Sequence, residues 1–87
     1  PDLQLVDVRG PGEAEGGMIE GAILAPLPQL NSKLASLDAS KPTIVYCAGG
    51  YRSSIGASRL VSAGFTDVSD LLGGYGAWTA ALETAPA

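Results

Sequence analysis

The run Thr43-Ile44-Val45-Tyr46 is short, β-branched and aromatic, with Pro42 before it and glycines soon after. Those features predict a buried strand. The strand ends on Cys47, the single cysteine of the chain, and Ala48-Gly49-Gly50-Tyr51-Arg52 follows. From Ser53 to Ala63 the apolar set Ile55, Ala57, Leu60, Val61 and Ala63 predicts a helix, with a serine at its start and Gly64 just past its end. A strand that passes through a short glycine loop into a helix points to an α/β arrangement.

The same stretch carries chemistry. The thiolate is the reactive form of cysteine. Amides at a helix start point outward and carry partial positive charge. A glycine loop lets several amides curl around one anion, and the charge on Arg52 does not titrate away. Together these effects are expected to move the Cys47 pKa from ~8.5 toward ~4–7. A lone cysteine is most often a small buried hydrophobe. An inert core cysteine, however, has no need of a glycine loop and an arginine beside it.

At these residues the chain resembles a known family. Cys47-Ala-Gly-Gly-Tyr-Arg52 is similar to the active-site loop of rhodanese-like sulfurtransferases, in which four residues separate Cys and Arg. Val6-Asp7-Val8-Arg9 with Glu13 resembles the family's first strand and its Arg/Glu turn. Gly17-Met18-Ile19-Glu20-Gly21-Ala22 resembles the segment entering the next strand, and Leu72-Gly73-Gly74-Tyr75-Gly76-Ala77-Trp78 the motif near the C-terminus. The wording Cys-Ala-Gly-Gly-Tyr-Arg-Ser is most similar to rhodanese domains attached to metallo-β-lactamase-fold hydrolases of sulfur metabolism. Two departures stand out. Met18 occupies a place where the family commonly has histidine, and Asp7 lies almost at the N-terminus, where the family usually has an extra helix and short strand. A minimal domain, or a piece of something longer, is expected.

Size and charge bound the alternatives. At 87 residues one domain over 1–87 is expected. The net charge of −4 argues against nucleic acid and against an anionic membrane surface. One cysteine forms no internal disulfide, which fits a reducing compartment, so a cytoplasmic location is expected. With no histidine, Cys/His and Ser/His/Asp catalytic sets are excluded, and zinc lacks its usual ligands. No cofactor or metal is expected.

Elsewhere, strands are expected at Leu3 to Val8, Ala22 to Ala25 and Thr66 to Leu71, and a turn at Arg9-Gly10-Pro11-Gly12. Leu30, Leu34 and Leu37 predict an amphipathic helix from Pro28. A final helix is expected over Tyr75 to Leu82, with Trp78 as a core anchor, and fraying after Glu83. Gly56 inside the helix after Arg52 either permits close packing or is merely tolerated. Glu13 is expected to pair with Arg9, and Asp7 to hydrogen-bond loop amides. Strands alternating with helices predict a mostly parallel sheet covered by helices on both faces.

The resemblance implies sulfur transfer. Cys47 attacks the outer sulfur of thiosulfate or a persulfide, a Cys47 persulfide forms, and cyanide or a thiol removes the sulfur. The amides of Ala48, Gly49, Gly50, Tyr51, Arg52 and Ser53 are expected to cradle that sulfur. Arg52 adds charge at the rim or holds the loop in shape, and Tyr51 faces outward. Two rivals stand beside this reading. Phosphatases on the same fold use a Cys–Arg loop one residue longer, whose wider ring suits phosphate. A non-catalytic or sulfur-carrier module fused to a partner enzyme is the other.

Overall fold

The computed structural model describes residues 3–49, 51–71 and 73–84, the last four of these as backbone alone. Strands β1 (Gln4–Asp7), β2 (Ile23–Leu24), β3 (Thr43–Tyr46) and β4 (Val68–Asp70) form one parallel sheet in the order β2-β1-β3-β4. Val6 lies beside Val45, and Asp7 beside Tyr46. Because side chains alternate along a strand, the two central strands present two distinct faces.

One face is the main core. Val6, Val8, Val45 and Cys47 meet Ala25, Leu30, Leu60 and Phe65 there. Helix α3 (Tyr51–Ser62) covers this face. A β-carbon on Gly56 would lie 3.3 Å from Val8 Cγ1 and 3.4 Å from Val45 Cγ1. The helix therefore lies so near the sheet that only hydrogen fits comfortably, and close packing is the reason for the glycine. At the other end of α3, Phe65 N–H donates to the Leu60 carbonyl and Gly64 N–H to that of Val61, at 3.0 and 3.1 Å. Gly64 holds φ +103°, the left-handed stop that closes a helix in this pattern. Leu60 and Phe65, brought together by that stop, both enter the core.

The opposite face holds Asp7 and Tyr46. Helix α4 (Gly74–Thr84) lays Tyr75 on Tyr46, ring centroids 6.2 Å apart, and the Arg9 guanidinium packs 4.2 Å from the Tyr75 centroid. The Tyr46 hydroxyl accepts Ile19 N–H at 3.0 Å, and burial pushes its pKa up. Helices thus cover both faces of a parallel sheet, as expected.

Three local expectations are corrected. The expected turn at Arg9-Gly10-Pro11-Gly12 opens a helix, α1 (Pro11–Glu15). Pro11 takes the first helical position, where its missing N–H is harmless, and Glu13 accepts Gly10 N–H at 3.0 Å. The single helix expected from Pro28 breaks into 3₁₀ turns at Leu27–Gln29 and Leu34–Ser36 around a short α2 (Leu30–Lys33). A segment this short is marginal as a helix alone and follows its packing, and Leu30, Leu34 and Leu37 still reach the core. Trp78 is not a core anchor: it is 39% exposed. The first turn of α4, Gly74 and Tyr75, makes the contact with the body, and Trp78 lies beyond it. Residues 85–87, where fraying was expected, lie outside the described residues, and Thr84 still closes α4.

Among the described residues no helix is long and apolar enough to cross a membrane.

Candidate active site

Strand β3 delivers Cys47 to the C-terminal edge of the sheet, the side on which parallel sheets gather ligands. The Cys47 side chain is 1% exposed and belongs to the core cluster. Its sulfur nevertheless meets polar groups. Ser53 N–H donates to Sγ at 3.3 Å, and the Ser53 hydroxyl lies 3.6 Å from the same atom. Ser53 is the third residue of α3, so its amide is among those that point out of the helix end. Ala48 and Gly49, which follow the buried thiol in the loop, are exposed.

The loop is held from α4. Tyr75 N–H donates to the Cys47 carbonyl at 2.7 Å, and Gly76 N–H to that of Ala48 at 3.2 Å. These two bonds join the segment carrying the thiol to the Gly-Gly-Tyr-Gly stretch near the C-terminus.

The predicted site residues fall in different places. Cys47 and Ser53 meet directly. Tyr51 is 78% exposed and faces outward, as expected. Gly50 lies outside the described residues. The Arg52 guanidinium turns to Glu13 of α1, with Nη1–Oε1 2.6 Å and Nη2–Oε2 2.8 Å. The guanidinium holds the Glu13 carboxyl down at about 2, helped by Gly10 N–H, and Glu13 in turn raises the Arg52 pKa. These contacts tie the start of α3 to α1.

The expected Arg9–Glu13 pair is corrected by this arrangement. Arg9 binds Asp7 instead, Nη2–Oδ2 2.7 Å and Nε–Oδ1 3.0 Å, with both side chains buried. Nη2 also donates to the Gly17 carbonyl at 2.6 Å. A buried carboxylate needs a charged partner more than an exposed one does, and Asp7 is the buried one. Asp7 also accepts the backbone N–H of Arg9 at 2.9 Å, the loop-amide contact expected of it.

Two residues at the site escaped the sequence reading. Asp70, the last residue of β4, accepts the Ser53 hydroxyl through Oδ1. Its signal was an acid at a strand's C-terminal end, with its register partner Val45 two residues before Cys47. Gly74 lies directly against the Cys47 carbonyl. Its signal was the motif Leu72-Gly73-Gly74-Tyr75-Gly76-Ala77-Trp78, which the resemblance marked near the C-terminus without giving Gly74 a role at the site.

Comparison with known proteins matches this geometry to a family. The model of the rhodanese-like domain matches residues 1–81. Over 75 residues the chain is 41% identical to YqhL of Bacillus subtilis, covering 86% of the chain and 60% of YqhL. It is 34% identical over 86 residues to the thiosulfate sulfurtransferase GlpE of Coxiella burnetii, covering 99% of the chain and 80% of GlpE. It matches only 21% of the length of the probable adenylyltransferase/sulfurtransferase MoeZ of Mycobacterium tuberculosis, at 37% identity over 93% of the chain. The crystal structure of the rhodanese-like domain of Alr3790 from Anabaena superimposes with a TM-score of 0.84 at 38% identity, covering 91% of this chain and 92% of that one. On the matched family model and these relatives, the chain belongs to the rhodanese-like domain family.

Proposed function

We propose that this domain is a sulfurtransferase that carries sulfane sulfur on Cys47, taken from thiosulfate or a persulfide and given to cyanide or a thiol. The observation that supports this best is the Ser53 N–H aimed at Cys47 Sγ from the first turn of α3. A donor fixed there by the helix favours a sulfur anion without reorganising when charge develops. The thiosulfate sulfurtransferase name of the Coxiella relative points the same way.

In the first step the Cys47 thiolate attacks the outer sulfur of thiosulfate. A new S–S bond forms to Cys47, the old one breaks, and sulfite leaves with the bonding pair. The product is a Cys47 persulfide anion, whose outer sulfur the amides of Ala48, Gly49, Gly50, Tyr51, Arg52 and Ser53 would cradle. In the second step cyanide attacks that outer sulfur, thiocyanate leaves, and the Cys47 thiolate returns. Only the chain's own residues take part, and the two half-reactions give ping-pong kinetics. Arg52, held by Glu13, keeps the start of α3 in place and leaves its charge near the site.

A carrier role inside a larger enzyme is the second reading. The match to a fifth of MoeZ favours it, because there the matching segment is a minor part of the protein. In that reading the chain is a domain of the kind fused to metallo-β-lactamase-fold hydrolases of sulfur metabolism, a partner domain supplies or removes the sulfur, and the compartment is the cytoplasm. The test is thiocyanate formation from thiosulfate and cyanide. Wild-type protein should turn over and Cys47→Ser should not, with unchanged circular dichroism. Turnover by Cys47→Ser at the wild-type rate would overturn the mechanism.

A further inference from the structure

The hydrogen bonds around Cys47 have a direction. The Ser53 hydroxyl donates to the Asp70 carboxylate, so it turns an oxygen lone pair toward the sulfur. A thiol S–H can donate to that lone pair. A sulfur anion cannot, and would meet two acceptors in line. Ser53 is fully buried and Asp70 half-buried, so water screens this row poorly.

We propose that Asp70 sets the protonation of Cys47 by acting through Ser53, and is therefore a positioning residue of the site. While Asp70 is ionised, the hydroxyl is committed to it and the thiol keeps its proton. When the thiol gives up its proton along the row, four bonds change. The S–H bond breaks and an O–H bond forms on Ser53. The original Ser53 O–H bond breaks and a new one forms on Asp70. The row carries one negative charge before and after, and the reversed hydroxyl now donates to the sulfur anion. Ser53 N–H favours the anion in both directions, so the amide and the carboxylate oppose each other and the proton decides between them. When Cys47 attacks thiosulfate as the thiolate, the proton it gave up stays on Asp70 and the loaded outer sulfur carries the negative charge.

Arg52 of α3, which feels the charge of Cys47, is held by Glu13 of α1, and Asp7 is paired with Arg9 on the opposite face of the sheet. Each of these has its own counter-charge. The carboxylate of Asp70 is joined to the sulfur through one hydroxyl.

The experiment is the pH profile of Cys47 alkylation by iodoacetamide in wild type, Asp70→Asn and Ser53→Ala, with circular dichroism as the folding check. Asn keeps an acceptor for the hydroxyl and removes the charge. The expected result is a shift of the Asp70→Asn profile to lower pH by about one unit, or roughly tenfold faster alkylation on the acid side. Adding Asp70→Asn to Ser53→Ala should then shift the profile less than Asp70→Asn does alone. An Asp70→Asn profile that is unchanged, or displaced to higher pH, would overturn the proposal. If Asp70→Asn does not fold, the Asp70 carboxyl is titrated by carbon-13 NMR in wild type and in Cys47→Ala. Distinct curves support the coupling, and superimposable curves overturn it. The loading step rests on the sulfur-transfer reading, but alkylation does not. A shifted profile in a protein that takes no sulfur would remove that reading and leave the coupling standing.

Discussion

Gly74 packs its Cα so closely against the Cys47 carbonyl that a β-carbon there would overlap the carbonyl oxygen. It also holds φ +59°, a backbone state that L-residues avoid. The first turn of α4 can therefore reach over the loop and donate Tyr75 N–H to Cys47 and Gly76 N–H to Ala48. The glycine near the C-terminus and the cysteine in mid-chain form one structural unit.

Gly74→Ala should cost at least ~1–2 kcal/mol for the left-handed backbone, with the overlap added to it. Because the overlap falls on the thiol loop, sulfur transfer should drop further than stability does. Urea unfolding and thiocyanate formation on the same variant check this. Wild-type values in both would show that the close approach has no role.

The Asp7–Arg9 pair is buried on both sides, so removing one partner strands the other. Arg9→Met should cost ~3–5 kcal/mol, whereas the double variant Asp7→Leu with Arg9→Met should recover most of the loss. Chemical unfolding of the two variants checks the contrast. Equal losses would mean that Arg9 acts through Tyr46, Tyr75 and the Gly17 carbonyl instead.

Glu13 differs because it is exposed and its carboxyl is held down to about 2, from an ordinary 4.5, by Arg52. A lowered carboxylate pKa stabilises the fold above the unfolded value, and that contribution is lost as pH falls through the folded one. The stability gap between wild type and Glu13→Gln should therefore be constant above about pH 4.5 and close as pH falls toward about 2. Urea midpoints across that range check it. A gap that stays constant down to the lower limit would contradict the Arg52 pairing.

Some of this was legible in the sequence, for local reasons. Thr43 to Tyr46 announces itself as a strand by composition, and Gly64 marks the helix end through the backbone state it allows. Cys47 at the strand–helix junction follows from those two. What escaped depends on long-range pairing. Glu13 lies four residues from Arg9 in sequence, yet its partner is Arg52, 39 residues away, because burial had already assigned Arg9 to Asp7. Asp70 reaches Ser53 only because β4 lies beside β3 in a particular register. Trp78 looked like an anchor by residue type, but α4 meets the body at its first turn. Helix α1 was hidden because glycine and proline signal a turn in composition, while at a helix start the same residues are well placed.

The most direct measurement is the intact mass of the protein after incubation with thiosulfate. Wild type should gain one sulfur atom, located on Cys47 by fragmentation and removed by cyanide, and Cys47→Ser should gain none. A folded wild-type protein that gains no sulfur, or gains it equally without Cys47, would contradict the claim that this buried sulfur is the carrier.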